Sequence, residues 1–266
     1  MPEISRRVFL RRIGSSTIAV VTLGLVACSS DVSGEPSTTV PASTTTAALI
    51  TPASAGTAAT TGQTTVPPST GLEVERLSLG NVAAFIVARD AAAAVIDTGN
   101  PGSAGSVEVG LTALGLDWDA VGDVILTHRH GDHVGSLTDI LTRAPGALGY
   151  AGALDLDRIS SPTPLVGVGD GDTVFGLQIV ETPGHTPGHI AVWDSIGGAL
   201  FAGDALTGGA PGELAGPNPG FTSDMASAIE SVQKMAALDV SAIYVGHGEP
   251  IVADAADQLS ALAASL

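Results

Sequence analysis

From residue 71 onward, apolar residues come in short runs broken by glycine, proline and aspartate, a pattern of strands and helices packed in layers. Leu72, Val74, Leu77 and Leu79 open a strand-like segment. Val82–Ala88 and Ala92–Ile96 are unbroken apolar runs of strand length with Arg89-Asp90 at the turn, which predicts two strands buried on both faces. Asp97–Gly102 reads as a loop, Ser103–Leu114 has helical spacing and ends at Gly115, and Asp123–Leu126 is a short strand. Val134–Arg143 is helical and stops before Pro145. Further on, Thr173–Phe175 and Leu177–Glu181 read as paired strands, and Ile190–Trp193 and Ala199–Ala202 as a hairpin around Gly197-Gly198. Thr222–Leu238 predicts a long helix with Met225, Ile229, Val232 and Met235 as its apolar positions, followed by a strand at Ala242–Val245 and a helix at Ala253–Leu266. Interleaved strands and helices without a close internal repeat indicate sheets covered by helices, an α/β or α+β layer architecture.

Residues 1–27 follow a different pattern: a charged start and then an apolar run from Ile13 to Ala27. The run is shorter than the ~20 residues that span a bilayer, and it reads as a signal-peptide core. Ser5-Arg-Arg-Val-Phe-Leu10 resembles the bacterial twin-arginine export motif, and Leu25-Val-Ala-Cys28 resembles a lipobox, whose cysteine becomes lipidated. Residues 29–70 are Ser, Thr, Pro, Ala or Gly at 34 of 42 positions, too few apolar groups to offset the entropy of ordering. The expectation is a signal peptide over 1–27, a disordered tether over 28–70 that spans about 35 Å as a coil, and one catalytic domain over 71–266. The domain would be exported to the cell envelope and held at the outer face of the cytoplasmic membrane by a lipid on Cys28.

Composition narrows the chemistry. Apolar residues are 44% of the chain but aromatics only 3%, so the core is built from Ala, Val, Leu and Ile. A formal charge of −17 disfavours nucleic acid as a partner, because phosphate binding needs clustered Lys and Arg. The expected partner is a small-molecule substrate; the sequence leaves the oligomeric state open. Cys28 is the single cysteine, so any metal site must use histidine and carboxylate.

All six histidines fall in three short segments: His128, His130 and His133 in Thr127-His-Arg-His-Gly-Asp-His-Val134, His185 and His189 in Thr182-Pro-Gly-His-Thr-Pro-Gly-His189, and His247 in Val245-Gly-His-Gly248. Each follows a predicted strand, in a glycine-containing loop, and loops at strand ends can converge from distant parts of a chain. His128 and His130 lie two apart on one side of a short segment; Asp132 and His133 follow at once and can face elsewhere. One loop can therefore serve two metal ions. Asp204, at the end of Leu200-Phe-Ala-Gly-Asp204, adds a carboxylate.

The His-x-His-x-Asp-His run, followed in order by a later His, Asp and His, resembles the metallo-β-lactamase-fold hydrolase superfamily over essentially all of residues 72–266. The resemblance implies a four-layer αββα sandwich with its site at the edge, between the sheets. It implies that His128, His130 and His185 bind one metal, Asp132, His133 and His247 a second, and Asp204 both. The implied cofactor is two zinc ions, with iron or manganese as alternatives. The implied reaction is attack of a metal-bridging hydroxide on an ester, thioester, lactone or amide carbonyl, with Asp132 as proton acceptor. His189 and Asp97 are read as supporting residues, Arg129 as solvent-exposed, and Tyr150, Tyr244 and Trp118 as core or interface residues.

Residues 208–220, rich in Gly and Pro, read as a loop over the site with Phe221 as an apolar contact. Few basic residues are available to clamp an anionic substrate. The chain ends 19 residues after His247, short of the basic C-terminal extension of the glyoxalase II branch. No residue set demands a β-lactam. Two other readings stay open: a mononuclear iron oxygenase of persulfide-dioxygenase type using His128, His185 and Asp204, and a non-catalytic envelope protein that binds metal.

Overall fold

The computed structural model describes residues 71–266; the export, lipidation and tether readings fall on residues outside them. Two sheets carry the fold. The first contains β1 (Glu73–Ser78), β2 (Ala83–Arg89), β3 (Ala92–Ile96), β4 (Val121–Leu126), β5 (Leu148–Gly152) and β6 (Val166–Val168), in that spatial order. The first three pair antiparallel and β3 to β6 pair parallel. The second sheet contains β7 (Thr173–Val174), β8 (Leu177–Glu181), β9 (Ile190–Trp193), β10 (Ala199–Gly203) and, after a small hairpin of β11 (Thr207–Gly208) and β12 (Leu214–Ala215), β13 (Ala242–Val245). Its order is β13-β10-β9-β8-β7, with β13 parallel to β10.

Alternate residues of each strand feed two cores, as a sheet covered on both faces requires. In β2 and β3, Ala84, Ile86, Ala93 and Val95 pack outward against α1 (Ala104–Ala113) and α3 (Leu137–Arg143), which follows the one-turn α2 (Gly131–Val134). Phe85, Val87, Ala94 and Ile96 pack inward against Leu177, Ile179, Ile190, Val192 and Phe201 of the second sheet. On that sheet's far face, Ala191, Leu200 and Ala202 meet Val232 and Met235 of α4 (Met225–Met235) and Leu259 of α5 (Ala255–Ser265). This is the expected αββα sandwich. Among few aromatics, Phe85, Phe201 and Tyr244 gather at its centre, with Phe201 and Tyr244 stacked 4.9 Å apart.

Several boundaries differ from the pattern-based expectation for identifiable reasons. The pattern does not predict β5 and β6, because Leu148-Gly-Tyr-Ala-Gly152 and Val166-Gly-Val168 carry glycines that weaken a strand signal; both are held by parallel pairing outward from β4. The helix expected over Val134–Arg143 is divided. Ser136 interrupts it: its hydroxyl donates to Asn100 O at 2.6 Å and accepts from Ser103 N at 2.7 Å. The helix expected from Thr222 starts at Met225, where the Asp224 carboxylate accepts from Ala226 N and Ser227 N. The loop after Asp204 contains the β11–β12 hairpin.

The sheets are joined at one end. Ile190 N donates to Thr127 O at 2.8 Å, and Ala83 N donates to Gly246 O at 2.8 Å. These bonds join the exit of β4 to the entry of β9 and the entry of β2 to the exit of β13, at the end where every candidate ligand emerges.

Candidate metal centre

His128 leaves β4 directly after Thr127, and both are buried. Asp97, at the exit of β3, organises this corner. Its Oδ1 accepts from Thr127 N at 2.8 Å, and its Oδ2 accepts from Thr127 Oγ1 at 2.8 Å and from His133 Nδ1 at 2.7 Å. Asp97 holds a left-handed backbone conformation, φ 58°, which costs a non-glycine residue about 1–3 kcal/mol and is sustained here by the surrounding bonds. With its hydroxyl proton on Asp97, Thr127 Oγ1 can accept from His128 Nδ1 at 3.1 Å, which leaves His128 Nε2 bare toward the centre. His247 reaches the same condition by a different route: Nδ1 donates to Asn81 O at 2.6 Å and Nε2 faces inward.

The structure brings all seven candidate ligands together. Single donor atoms of His128, His130 and His185 lie within 4.8 Å of one another, as do those of Asp132, His133 and His247. Asp204 lies between the groups: Oδ1 is 3.2 Å from His133 Nε2, and Oδ2 is 3.4 Å from His185 Nε2 and 3.3 Å from His247 Nε2. A third grouping joins His128, His133 and Asp204 within the same 4.8 Å. Asp132 Oδ2 is 3.4 Å from His247 Nε2.

The donor set fits a pair of cations on the geometry alone. His130 Nδ1 faces His128 Nε2 at 3.1 Å and His185 Nε2 at 2.8 Å, three imidazole nitrogens whose lone pairs converge. Such an arrangement needs a proton or a cation between the rings. His133 Nε2 and Asp204 Oδ1 are buried without a hydrogen bond, the state expected of atoms shaped for a metal rather than for each other.

Electrostatics divides the centre in two. Burial holds His128, His130 and His185 below their ordinary pKa, His185 at about 4 against the pull of Asp204, so all three are neutral near pH 7. For His133 burial acts the same way, but the Asp97 and Asp204 carboxylates outweigh it and raise the ring to about 10. His247 is raised by its contact with Asp204. Burial would push Asp204 up, yet His133 and His247 hold it well below the carboxylate range. One half presents free lone pairs; in the other, His133 holds a proton that a cation must displace.

The supporting residues are equally definite. His189 is no member of the ligand clusters: Nε2 accepts from Asp204 N at 3.0 Å and Nδ1 pairs with Thr182 Oγ1 at 2.8 Å. Burial lowers its pKa to about 3, so it stays neutral and fixes the backbone of Asp204. Gly203, φ 51°, stands so close to His189 and Thr127 that no Cβ fits. Gly184 likewise lets the His185 loop lie on the backbone of α4 at Ala228.

Arg129 corrects the expectation of a solvent-exposed side chain. It is about three-quarters buried, 24% exposed, and is paired with Asp155. Asp155 itself is fully buried. Oδ1 accepts from Arg129 Nη1 at 2.5 Å and Gly188 N at 3.0 Å; Oδ2 accepts from Arg129 N at 3.1 Å and Thr186 Oγ1 at 2.6 Å. One carboxylate thus straps the His128–His130 loop to the His185–His189 loop. No sequence signal points to it, because Ala-Leu-Asp-Leu-Asp157 has no distinctive spacing. Asn81, Thr207 and Asn218 also escape sequence reasoning; with Phe221, Gly131 and the exposed edges of the ligands they line a cavity of about 570 Å³ over the centre.

The sequence profile described as the Metallo-beta-lactamase superfamily matches residues 77–155 and 146–247. A hydroxyacylglutathione hydrolase of Synechococcus sp. is 38% identical over 164 residues, 58% of this chain and 59% of that protein. The chain therefore spans well under two thirds of the length of such relatives. Among solved structures, a metallo-beta-lactamase family protein from Thermus thermophilus superposes with a TM-score of 0.59 at 24% identity, covering 74% of this chain and 79% of that one, a likeness of fold. TTHA1623, solved in a di-iron-bound form, gives 0.56 at 26% identity and covers 66% and 93%.

The way the centre is built sets two expected outcomes. Replacing Asp155 by Ala should destabilise the protein by roughly 3 kcal/mol, since it strands a mostly buried guanidinium. For Asp155→Asn the loss should be pH-dependent. Burial opposes ionisation of Asp155, but the bonds from Thr186, Arg129 and Gly188 prevail and lower its folded pKa. Its contribution is therefore full above about pH 4, the unfolded value, and fades as pH falls through the folded value. Urea unfolding from pH 7 to 3 should show the variant's deficit constant at first and then shrinking. Separately, metal uptake by the apo protein near pH 8 should release at least one proton, because His133 is protonated there. Calorimetry in buffers of different ionisation enthalpy reads this directly; zero proton release would contradict the charge division.

Proposed function

The chain belongs to the metallo-beta-lactamase superfamily, and on that footing we propose that it is a metal-dependent hydrolase with a dinuclear centre, cleaving an ester, thioester, lactone or amide. The observation that carries the proposal is the convergence of seven histidine and aspartate side chains, five of which, His130, Asp132, His185, Asp204 and His247, line one open cavity. His128, His130 and His185 would hold one ion, Asp132, His133 and His247 the other, and Asp204 would serve both. Zinc suits this all-N,O donor set, and when bound it supplies Lewis acidity and lowers the pKa of coordinated water toward ~7.

The protein's own residues have separable roles. Asp97 fixes the tautomer of His133 and, through Thr127, that of His128, so both present Nε2. His189 holds Asp204 by its backbone, leaving both carboxylate oxygens for the centre. Asp132 is 30% exposed and lines the cavity, so among the carboxylates it is the one placed to accept a proton from a nucleophile entering from solvent. Asn81 O anchors His247 at the rim.

The purified full-length protein should carry close to two zinc ions per chain by elemental analysis. Asp132→Ala should lower kcat at least a hundredfold, on the order expected for loss of a general base, while leaving the circular dichroism spectrum unchanged. Unaltered turnover would remove Asp132 from the mechanism, and one iron per chain with no zinc would replace the hydrolase reading by the oxygenase one.

We infer localisation from sequence alone: residues 1–27 direct export and Cys28 carries a lipid anchor. Cys28→Ser should move the protein from the membrane to the soluble fraction of the envelope, and retention on membranes would contradict lipidation at that residue.

A further inference from the structure

Among the described residues, no lysine or arginine lines the cavity above the centre. Its residues other than candidate ligands are neutral: Asn81, Thr207, Asn218, Gly131 and Phe221. Residues 71–266 contain only six basic side chains against 24 acidic ones, and five of the six are already paired with a carboxylate. Arg129 is folded onto Asp155, Arg89 contacts Asp194 at 3.1 Å, Arg143 contacts Glu108 at 2.6 Å and Lys234 contacts Asp170 at 2.6 Å. Arg76 is the basic residue tied to the His247 loop. It donates to Gly248 O at 2.8 Å and lies 3.3 Å from Glu249, and it does not line the cavity. The sixth, Arg158, is exposed on the turn Leu156–Arg158 and also lies outside the cavity lining.

The neutral lining nonetheless has recognition chemistry. Asn218 Oδ1 is engaged by Gly220 N at 2.9 Å, so its amide N–H is the group it can offer a ligand. Thr207 Oγ1 donates to Gly216 O at 2.9 Å and retains lone pairs as an acceptor. Phe221 is 73% exposed at the rim, a large apolar surface beside a polar floor. Ligand sites combine apolar contact with a few polar groups in this way. A second carboxylate or a phosphate on a substrate would find no counter-ion here, and on approach it would meet the field of a strongly acidic domain.

We propose that this site takes an uncharged ester, thioester or lactone with an apolar acyl or leaving group against Phe221, and that it discriminates against substrates bearing an anionic group remote from the scissile bond. The proposal rests on the hydrolase reading above and sharpens it to a substrate class. Water adds across the acyl C–O or C–S bond, giving a carboxylic acid and an alcohol or thiol; no other reactant is required.

The test uses zinc-loaded full-length protein and matched pairs of neutral esters, thioesters and lactones, one member of each pair carrying a terminal carboxylate on its acyl chain. At low ionic strength the neutral member should have at least a tenfold higher kcat/KM. Added NaCl should raise kcat/KM for the anionic member by screening repulsion and leave the neutral member nearly unchanged. Asn218→Lys should narrow the ratio several-fold, and Phe221→Ala should raise KM for the larger apolar acyl groups. Equal or better turnover of the anionic members, or a fall in their kcat/KM with salt, overturns the substrate class and leaves the hydrolase reading intact. Absence of turnover for both members of every pair, with zinc bound, removes ester, thioester and lactone cleavage from the hydrolase reading, and the proposal with them.

Discussion

A carboxylate taken out of water must be met by opposite charge or by donors, and Asp204 imposes that condition on everything around it. It is 7% exposed, with imidazole nitrogens of His133, His185 and His247 at 3.2–3.4 Å and its own amide held by His189. These four histidines come from the exits of β4, β8 and β13, so the charge can be met only where both sheets end together. Asp97 and Asp155 repeat the principle in the next layer: each is buried, and each is saturated by donors from loops that also carry ligands. Three buried carboxylates, each with a different set of partners, thus hold the centre in place.

This construction explains which parts could be read in the sequence. Sheets covered by helices were legible because β2, β3 and β10 are apolar at nearly every position, which marks strands buried on both faces, while the αββα order came from the family resemblance. The five histidines among the candidate ligands stood out because all six histidines fall in three segments that follow recognisable strands, and the family resemblance added Asp132 and Asp204. Asp155 was not, because a buried aspartate looks like a surface one until its partners are known, and those partners lie 26 to 33 residues away. Arg129 reads as a surface residue for the same reason, since its partner Asp155 lies 26 residues away. β5 and β6 were hidden because glycine-bearing strands draw their stability from neighbours, not from their own composition.

The distribution of charge in the domain has a similar logic. With so few basic residues, each of the five paired cations stabilises a particular join. Arg89 links β2 to the β9–β10 turn through Asp194, and Lys234 links α4 to Asp170 and to Glu181 O. Five of the six basic side chains in residues 71–266 are given over to architecture, and the cavity lining beside the candidate ligands consists of two amides, a hydroxyl, a glycine and an aromatic ring. The core is built with the same restraint: three aromatic rings fill the middle of the sandwich, and Ala, Val, Leu and Ile fill the rest.

The strap made by Asp155 also bears on the order in which the molecule assembles. Its partners are residues 129, 186 and 188, one on the first sheet's ligand loop and two on the second's. Such contacts close long loops and form late in a folding reaction, after the local hairpins. A chain with only its first sheet in place would hold His128, His130 and His133, but not His185, Asp204 or His247. An ion held by ligands from all of these segments would therefore report that both halves have met, and its uptake would serve as a record of completed folding.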